Sequence, residues 1–110
     1  MQRVPQSMNT KKKYGIRDLE RRLGKLTVGE FIHAWRAAEE MSLKDFGNRI
    51  GMSVANLCDV EKGRKGVSPE KAAAIAFAID VPPELLIRLA LEEQLRAAGL
   101  NYTVAVKPAA

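Results

Sequence analysis

Apolar residues recur at intervals of three and four through most of this chain, and at intervals of two only near its end. The first thirteen residues have no periodic apolar pattern, and an arm without regular structure is expected there. Ile16, Leu19 and Leu23 fall at i, i+3 and i+7, a short helical stripe closed by Gly24. Thr27 then stands three residues before Glu30, the pairing of a capping box. Val28, Phe31, Ile32 and Trp35 follow at helical spacing, which predicts a helix over 28–40 with Trp35 as a core anchor.

Ser42 caps the next segment with Asp45 three residues on, and Leu43, Phe46, Gly47 and Ile50 share one face of a short helix ended by Gly51. Ser53 caps another over 54–62, with Leu57 and Val60 inward and Gly63 at its end. Ser68 and Pro69 open a fourth helix reaching Ile79. Pro83 suits the first turn of a fifth, whose apolar positions are Leu85, Leu86, Leu89, Leu95 and Ala98, with Gly99 placed to cap it. The period then changes. Leu100, Tyr102, Val104 and Val106 alternate with Asn101, Thr103 and Ala105, which predicts a strand with one buried face, ended by Pro108.

The two short helices and the turn between them have a specific geometry to satisfy. Helices that cross closely need a small residue midway along the first, and Gly47 provides it. The chain must reverse four residues later, where Gly51 can take a left-handed conformation. Leu57 and Val60 then hold the second helix to the core.

With its flanking serines, this pattern resembles the xenobiotic-response-element (XRE), or Cro/repressor, family of helix-turn-helix domains. The resemblance rests on "MSLKDFGNRIGMSVANLCDVEKGRK" and "VSPEKAAAIAFAIDV" and covers residues 27–81, about half the chain. It implies a mainly α, five-helix Cro/repressor-like domain that binds operator DNA as a dimer. The following "PPELLIRLALEEQLRAAGLNYTVAV" is similar to the tail of antitoxin-like members. The chain thus divides into a basic arm (1–15), a short helix and linker (16–26), the helix-turn-helix domain (27–81), a C-terminal helix and strand (82–106) and a tail (107–110).

The resemblance also assigns roles. It implies that Arg36 of the first helix pairs with Glu61 near the end of the recognition helix. On the outward face of that helix stand Ser53, Val54, Ala55, Asn56, Asp59 and Lys62. The family often carries Gln or Arg where this chain has Val54 and Ala55, and Gln where it has Leu43, so bidentate donors are missing. Apolar contact with thymine methyls, pairing of Asn56 with adenine and acceptance by Asp59 from cytosine remain open. Lys44, Ser53, Lys62, Arg64 and Lys65 are candidates for phosphate contacts, which position without specifying sequence.

Charge sharpens the picture. Residues 1–26 hold eight basic and two acidic groups, whereas residues 27–81 hold seven basic and eight acidic. The domain therefore cannot hold DNA by net charge alone, and the arm is the expected source of affinity. Other chemistry finds little support. Cys58 is the one cysteine and is expected to act as a small half-buried hydrophobe; His33 lies outside any metal-ligand spacing. No phosphate-binding glycine loop or nucleophile elbow occurs, so neither enzyme activity nor a cofactor is expected. The absence of a long apolar run and of a secretory signal predicts a cytoplasmic protein without a membrane partner.

The expected function is a sequence-specific transcriptional regulator, a repressor acting as a homodimer on a palindromic operator. The expected dimer contact is antiparallel pairing of the strand carrying Leu100, Tyr102, Val104 and Val106. One alternative is an antitoxin that binds a cognate toxin through that strand and represses its own operon. Another is a protein-interaction module that does not bind DNA.

Overall fold

A computed structural model of the chain describes residues 26–109. The basic arm and the stripe of Ile16, Leu19 and Leu23 lie outside the described residues. Among the described residues five helices follow one another: α1 (Val28–Ala38), α2 (Leu43–Ile50), α3 (Val54–Glu61), α4 (Pro69–Ile79) and α5 (Pro83–Ala97).

Four of the five starts are set by side chains the sequence supplies. The hydroxyls of Thr27, Ser42, Ser53 and Ser68 accept the N–H groups of Glu30, Asp45, Asn56 and Lys71. Each satisfies an otherwise orphaned donor and is worth about 1 kcal/mol. Thr27 and Glu30 complete a reciprocal capping box, with both hydrogen bonds at 3.0 Å. The start of α5 has no side-chain cap and relies on the fixed backbone of Pro82 and Pro83.

α1 ends at Ala38, short of the expected residue 40. Glu40 takes a left-handed φ of 55°, and Met41 N–H closes the turn on the Arg36 carbonyl at 3.1 Å. No glycine marks this stop, which is why the apolar pattern alone runs past it.

The core lies where the helices converge. Phe46, Leu26, Ile32, Leu57, Ile75, Leu86, Leu89 and Val28 are fully buried. Trp35 is half-buried at the rim, its ring tilted 33° against Phe46 with centroids 5.5 Å apart. The Arg49 guanidinium sits 5.4 Å over the Trp35 ring, and its Nε donates to the Ala78 carbonyl at 3.0 Å. That one arginine ties α2 to α1 and α4.

α5 is a wall of this same core. Leu86, Leu89 and Ala90 are buried against it, so the fifth helix falls beyond residue 81. Glu93 of α5 reaches α1, where its Oε1 accepts the Val28 N–H at 2.8 Å. Burial pushes the Glu93 carboxyl up, against the opposing pull of that hydrogen bond.

The expected C-terminal strand is corrected. Among the described residues there is no strand, and residues 100–109 run without regular structure. Leu100 N–H closes the end of α5 on the Leu95 carbonyl at 2.8 Å. Val104 N–H donates to Glu92 Oε2 at 2.8 Å, a buried carboxylate that also accepts from Arg88. A backbone donor spent on a side chain is not available to a ladder. Nor do the four alternating residues share a face: Val104 and Val106 are half-buried, whereas Leu100 and Tyr102 are exposed.

Candidate nucleic-acid interface

The α2–turn–α3 unit is built by close approach. A Cβ added at Gly47 would lie 2.5 Å from the Met52 carbonyl oxygen, so only glycine lets the turn fold back over α2. Met52 N–H returns a 2.8 Å hydrogen bond to the Gly47 carbonyl, and Gly51 makes the reversal at φ 72°. A second contact of this kind lies elsewhere. A Cβ at Gly29 of α1 would collide with the Val60 carbonyl of α3. Sequence reasoning missed Gly29, because a lone glycine in a first turn gives no hint of what crosses it.

The inner face of α3 is fixed by Leu57 and Val60, both buried, and by an ion pair at its end. Arg36 Nε donates to Glu61 Oε2 at 2.8 Å and Nη2 to Oε1 at 2.9 Å, the bidentate fork expected of this pair. Arg36 Nη1 also donates to the Met41 carbonyl at 2.9 Å, so the guanidinium holds the α1–α2 turn as well. Side-chain exposure is 18% for Arg36 and 6% for Glu61, so this is an interior contact.

His33 is a third member that the sequence reading left out of the site. Its Nδ1 lies 3.0 Å from Glu61 Oε1. A carboxylate can only accept, so Nδ1 carries the proton. The available signal was the i, i+3 spacing of His33 and Arg36 on α1. Burial pushes the Glu61 carboxyl up, but hydrogen bonds and charges from Arg36 and His33 outweigh it and hold the carboxyl below its usual range. The Glu61 hydrogen bond in turn raises Arg36.

The outer face is the reverse of this. Ser53, Val54, Ala55 and Asn56, the first turn of α3, are all exposed, as are Lys44, Lys62, Arg64 and Lys65. Asp59 is partly exposed. After α3 the loop curls back, with the Arg64 N–H on the Asp59 carbonyl at 2.8 Å. This brings two loop cations onto two acceptors of the helix. Arg64 Nε donates to Asp59 Oδ1 at 2.9 Å, and Lys65 Nζ donates to Asn56 Oδ1 at 2.6 Å. The Asp59 hydrogen bond raises Arg64. The sequence reading treated these four residues as independent contacts, and the loop joins them in pairs.

Beside these pairs, a cavity of about 260 Å³ opens between the start of α3 and the start of α4, lined by Ser53, Asn56, Lys65, Ser68 and Lys71. Lys71 was not anticipated as a site residue; its Nζ lies 3.5 Å from the Gly51 carbonyl. Cys58 is half-buried, 4.0 Å from Arg64 Nη2. Among the described residues no cluster of His, Cys, Asp or Glu could hold a metal ion, and no helix is long and apolar enough to cross a membrane.

The arrangement is an exposed helix start flanked by exposed cations on a packed frame, able to approach a polyanion closely. Comparison with protein families finds a match to the model described as a helix-turn-helix domain over residues 27–89, which takes in all of α1–α4 and the first half of α5. Comparison with curated proteins finds no match.

Proposed function

The chain belongs to the helix-turn-helix domain family, related to XRE-type domains, and from that premise we propose that it is a transcriptional regulator, a repressor that binds a palindromic operator as a homodimer. The observation that carries this reading is the division of α3. Leu57, Val60 and Glu61 face the body, while Ser53, Val54, Ala55 and Asn56 stand exposed at the helix start. A recognition helix enters the major groove by that end.

The arm completes the proposal. Seven basic and eight acidic groups leave residues 27–81 without a net attraction for phosphate, whereas residues 1–26 carry a net charge of +6. Affinity comes from the arm and register from the domain. A dimer would set two α3 helices about 34 Å apart, one turn of DNA. Exposed apolar side chains at Phe77, Leu100 and Tyr102 are available for contact with a second copy. The antitoxin alternative and the strand-paired form of the dimer both drew on a C-terminal strand that is absent among the described residues, and the family match favours the DNA-binding reading.

The test is a gel shift on the DNA upstream of the chain's own gene, across a salt titration, with the full chain and a form lacking residues 1–13. The expected result is a salt-sensitive complex that weakens sharply on truncation. Equal affinity of the two forms at every salt concentration would remove the arm from the account. A full chain that shifts no duplex would favour the interaction-module alternative.

A further inference from the structure

We infer that the loop cations Arg64 and Lys65 act as specificity determinants by engaging the acceptors of α3, so that the helix presents mainly donors and methyl groups to the base edges and selects guanine where Asn56 meets the groove. This deepens the DNA-binding reading and rests on it.

Asn56 stands in the first turn of α3. An asparagine pairs with adenine by using both ends of its amide: the nitrogen donates to N7 and the oxygen accepts from the N6 amino group. Here that oxygen is already engaged, with Lys65 Nζ at 2.6 Å. Lysine has donors and no acceptor, so the amide atom facing it must be the oxygen. The orientation of the amide is therefore fixed by chemistry, and its NH2 group points away from Lys65. Asn56 is held at its backbone as well, where its N–H caps on the Ser53 hydroxyl at 3.1 Å.

What remains at this position is a pair of donors, the Asn56 NH2 and the free N–H groups of Lys65. Guanine offers two acceptors on its major-groove edge, O6 and N7, and no donor. Adenine offers one acceptor and one donor, and its N6 amino group would have to share the Asn56 oxygen with the Lys65 ammonium, donor against donor. Cytosine is disfavoured for the same reason, since its groove edge is an amino donor.

The second pair points the same way. Asp59 is the other acceptor on the outward face, and Arg64 Nε occupies its Oδ1 at 2.9 Å. The guanidinium takes up one of the two carboxylate oxygens, so a cytosine amino group could reach the other only beside a positive charge, and the arginine adds donors of its own. Val54 and Ala55 contribute no polar group, only surface for thymine methyls. The two cations thus set positive, donor-rich groups beside both acceptors of this face.

The experiment is selection from random duplexes with the full chain and with Lys65→Met, followed by sequencing of the enriched pools. The wild-type pool is expected to carry a guanine at one position of each half-site. In Lys65→Met the freed oxygen should shift that position toward adenine by about tenfold. A binding measurement adds an independent readout: 7-deazaguanine at that position, which lacks the N7 acceptor, should weaken the wild type about tenfold and the variant little. Adenine in the wild-type pool, or the same base in both pools, overturns the inference and leaves DNA binding in place. A wild-type pool with no enrichment overturns the DNA-binding reading, and this inference with it.

Discussion

The two faces of α3 differ in how their polar groups are held. On the inner face, Arg36 and Glu61 form a bidentate pair in the interior, and the helix backbone passes so near Gly29 that no side chain fits. On the outer face, Lys65–Asn56 and Arg64–Asp59 are exposed contacts made by loop side chains. The first arrangement is costly to disturb, because removing one partner leaves a charge without solvent or counter-ion. The second contributes little to the stability of the fold, because water and salt compete for exposed pairs. One eight-residue helix can thus be held to the body by one face and keep the other exposed, which suits a surface that must meet a polyanion.

The contrast can be broken by substitution. Glu61→Ala should have the largest effect, about 3 kcal/mol or more, since it strands the Arg36 guanidinium in the interior. Chemical denaturation measures this, and an unchanged midpoint would mean the pair does not hold α3. Gly29→Ala comes next. The added methyl meets backbone, which cannot swing aside, so a loss at the upper end of the overpacking range of about 1–3 kcal/mol is expected. Ser53→Ala should remove the α3 cap at about 1 kcal/mol.

The acid limb of the stability curve sharpens the same comparison. The Glu61 carboxyl titrates below its ordinary value of 4.5 in the folded chain, so the unfolded chain binds its proton more readily. Stability from this group is fully present above about pH 4.5 and is lost as pH falls through the lowered folded value. Glu93 has the opposite sign: raised by burial, it makes stability fall as pH rises through its folded value. Glu61→Gln should therefore flatten the acid side of a pH–stability profile, and Glu93→Gln should remove a decline on the side nearer neutrality. The smallest effect belongs to the outer face, where Arg64→Ala should leave the melting temperature unchanged. A loss there comparable to that of Glu61→Ala would erase the distinction between the faces.

Much of the inner frame was legible in the sequence, because local patterns produce it. Thr27, Ser42, Ser53 and Ser68 are caps by the type and spacing of their neighbours, and Gly47 and Gly51 follow from the geometry of a tight turn. The Arg36–Glu61 pair came from family resemblance, and no rule of spacing would have found partners 25 residues apart. What stayed hidden depends on placement in three dimensions. His33 looked like one more residue of an apolar stripe until Glu61 was set beside it. Glu93 lies 65 residues from the Val28 N–H it accepts.

The C-terminal segment shows the limit most clearly. Alternation in residues 100–106 is a necessary feature of a half-buried strand, but a strand also requires a neighbouring backbone. Here the buried Glu92 carboxylate takes the Val104 N–H instead. The outer pairs were hidden for a related reason: the loop after α3 had to be seen curling back before Arg64 and Lys65 could be assigned to Asp59 and Asn56.

The most direct test of the division between the faces is the affinity of Ala55→Glu and of the wild-type full chain for one selected duplex. Ala55 is exposed in the first turn of α3, where an acidic side chain suits the helix dipole and should not weaken the fold. It would nevertheless bring a negative charge against DNA. The account predicts an unchanged melting temperature with binding weakened at least tenfold, on the order of the discrimination a single groove contact supplies. Wild-type affinity in the variant would show that this face of α3 does not meet DNA.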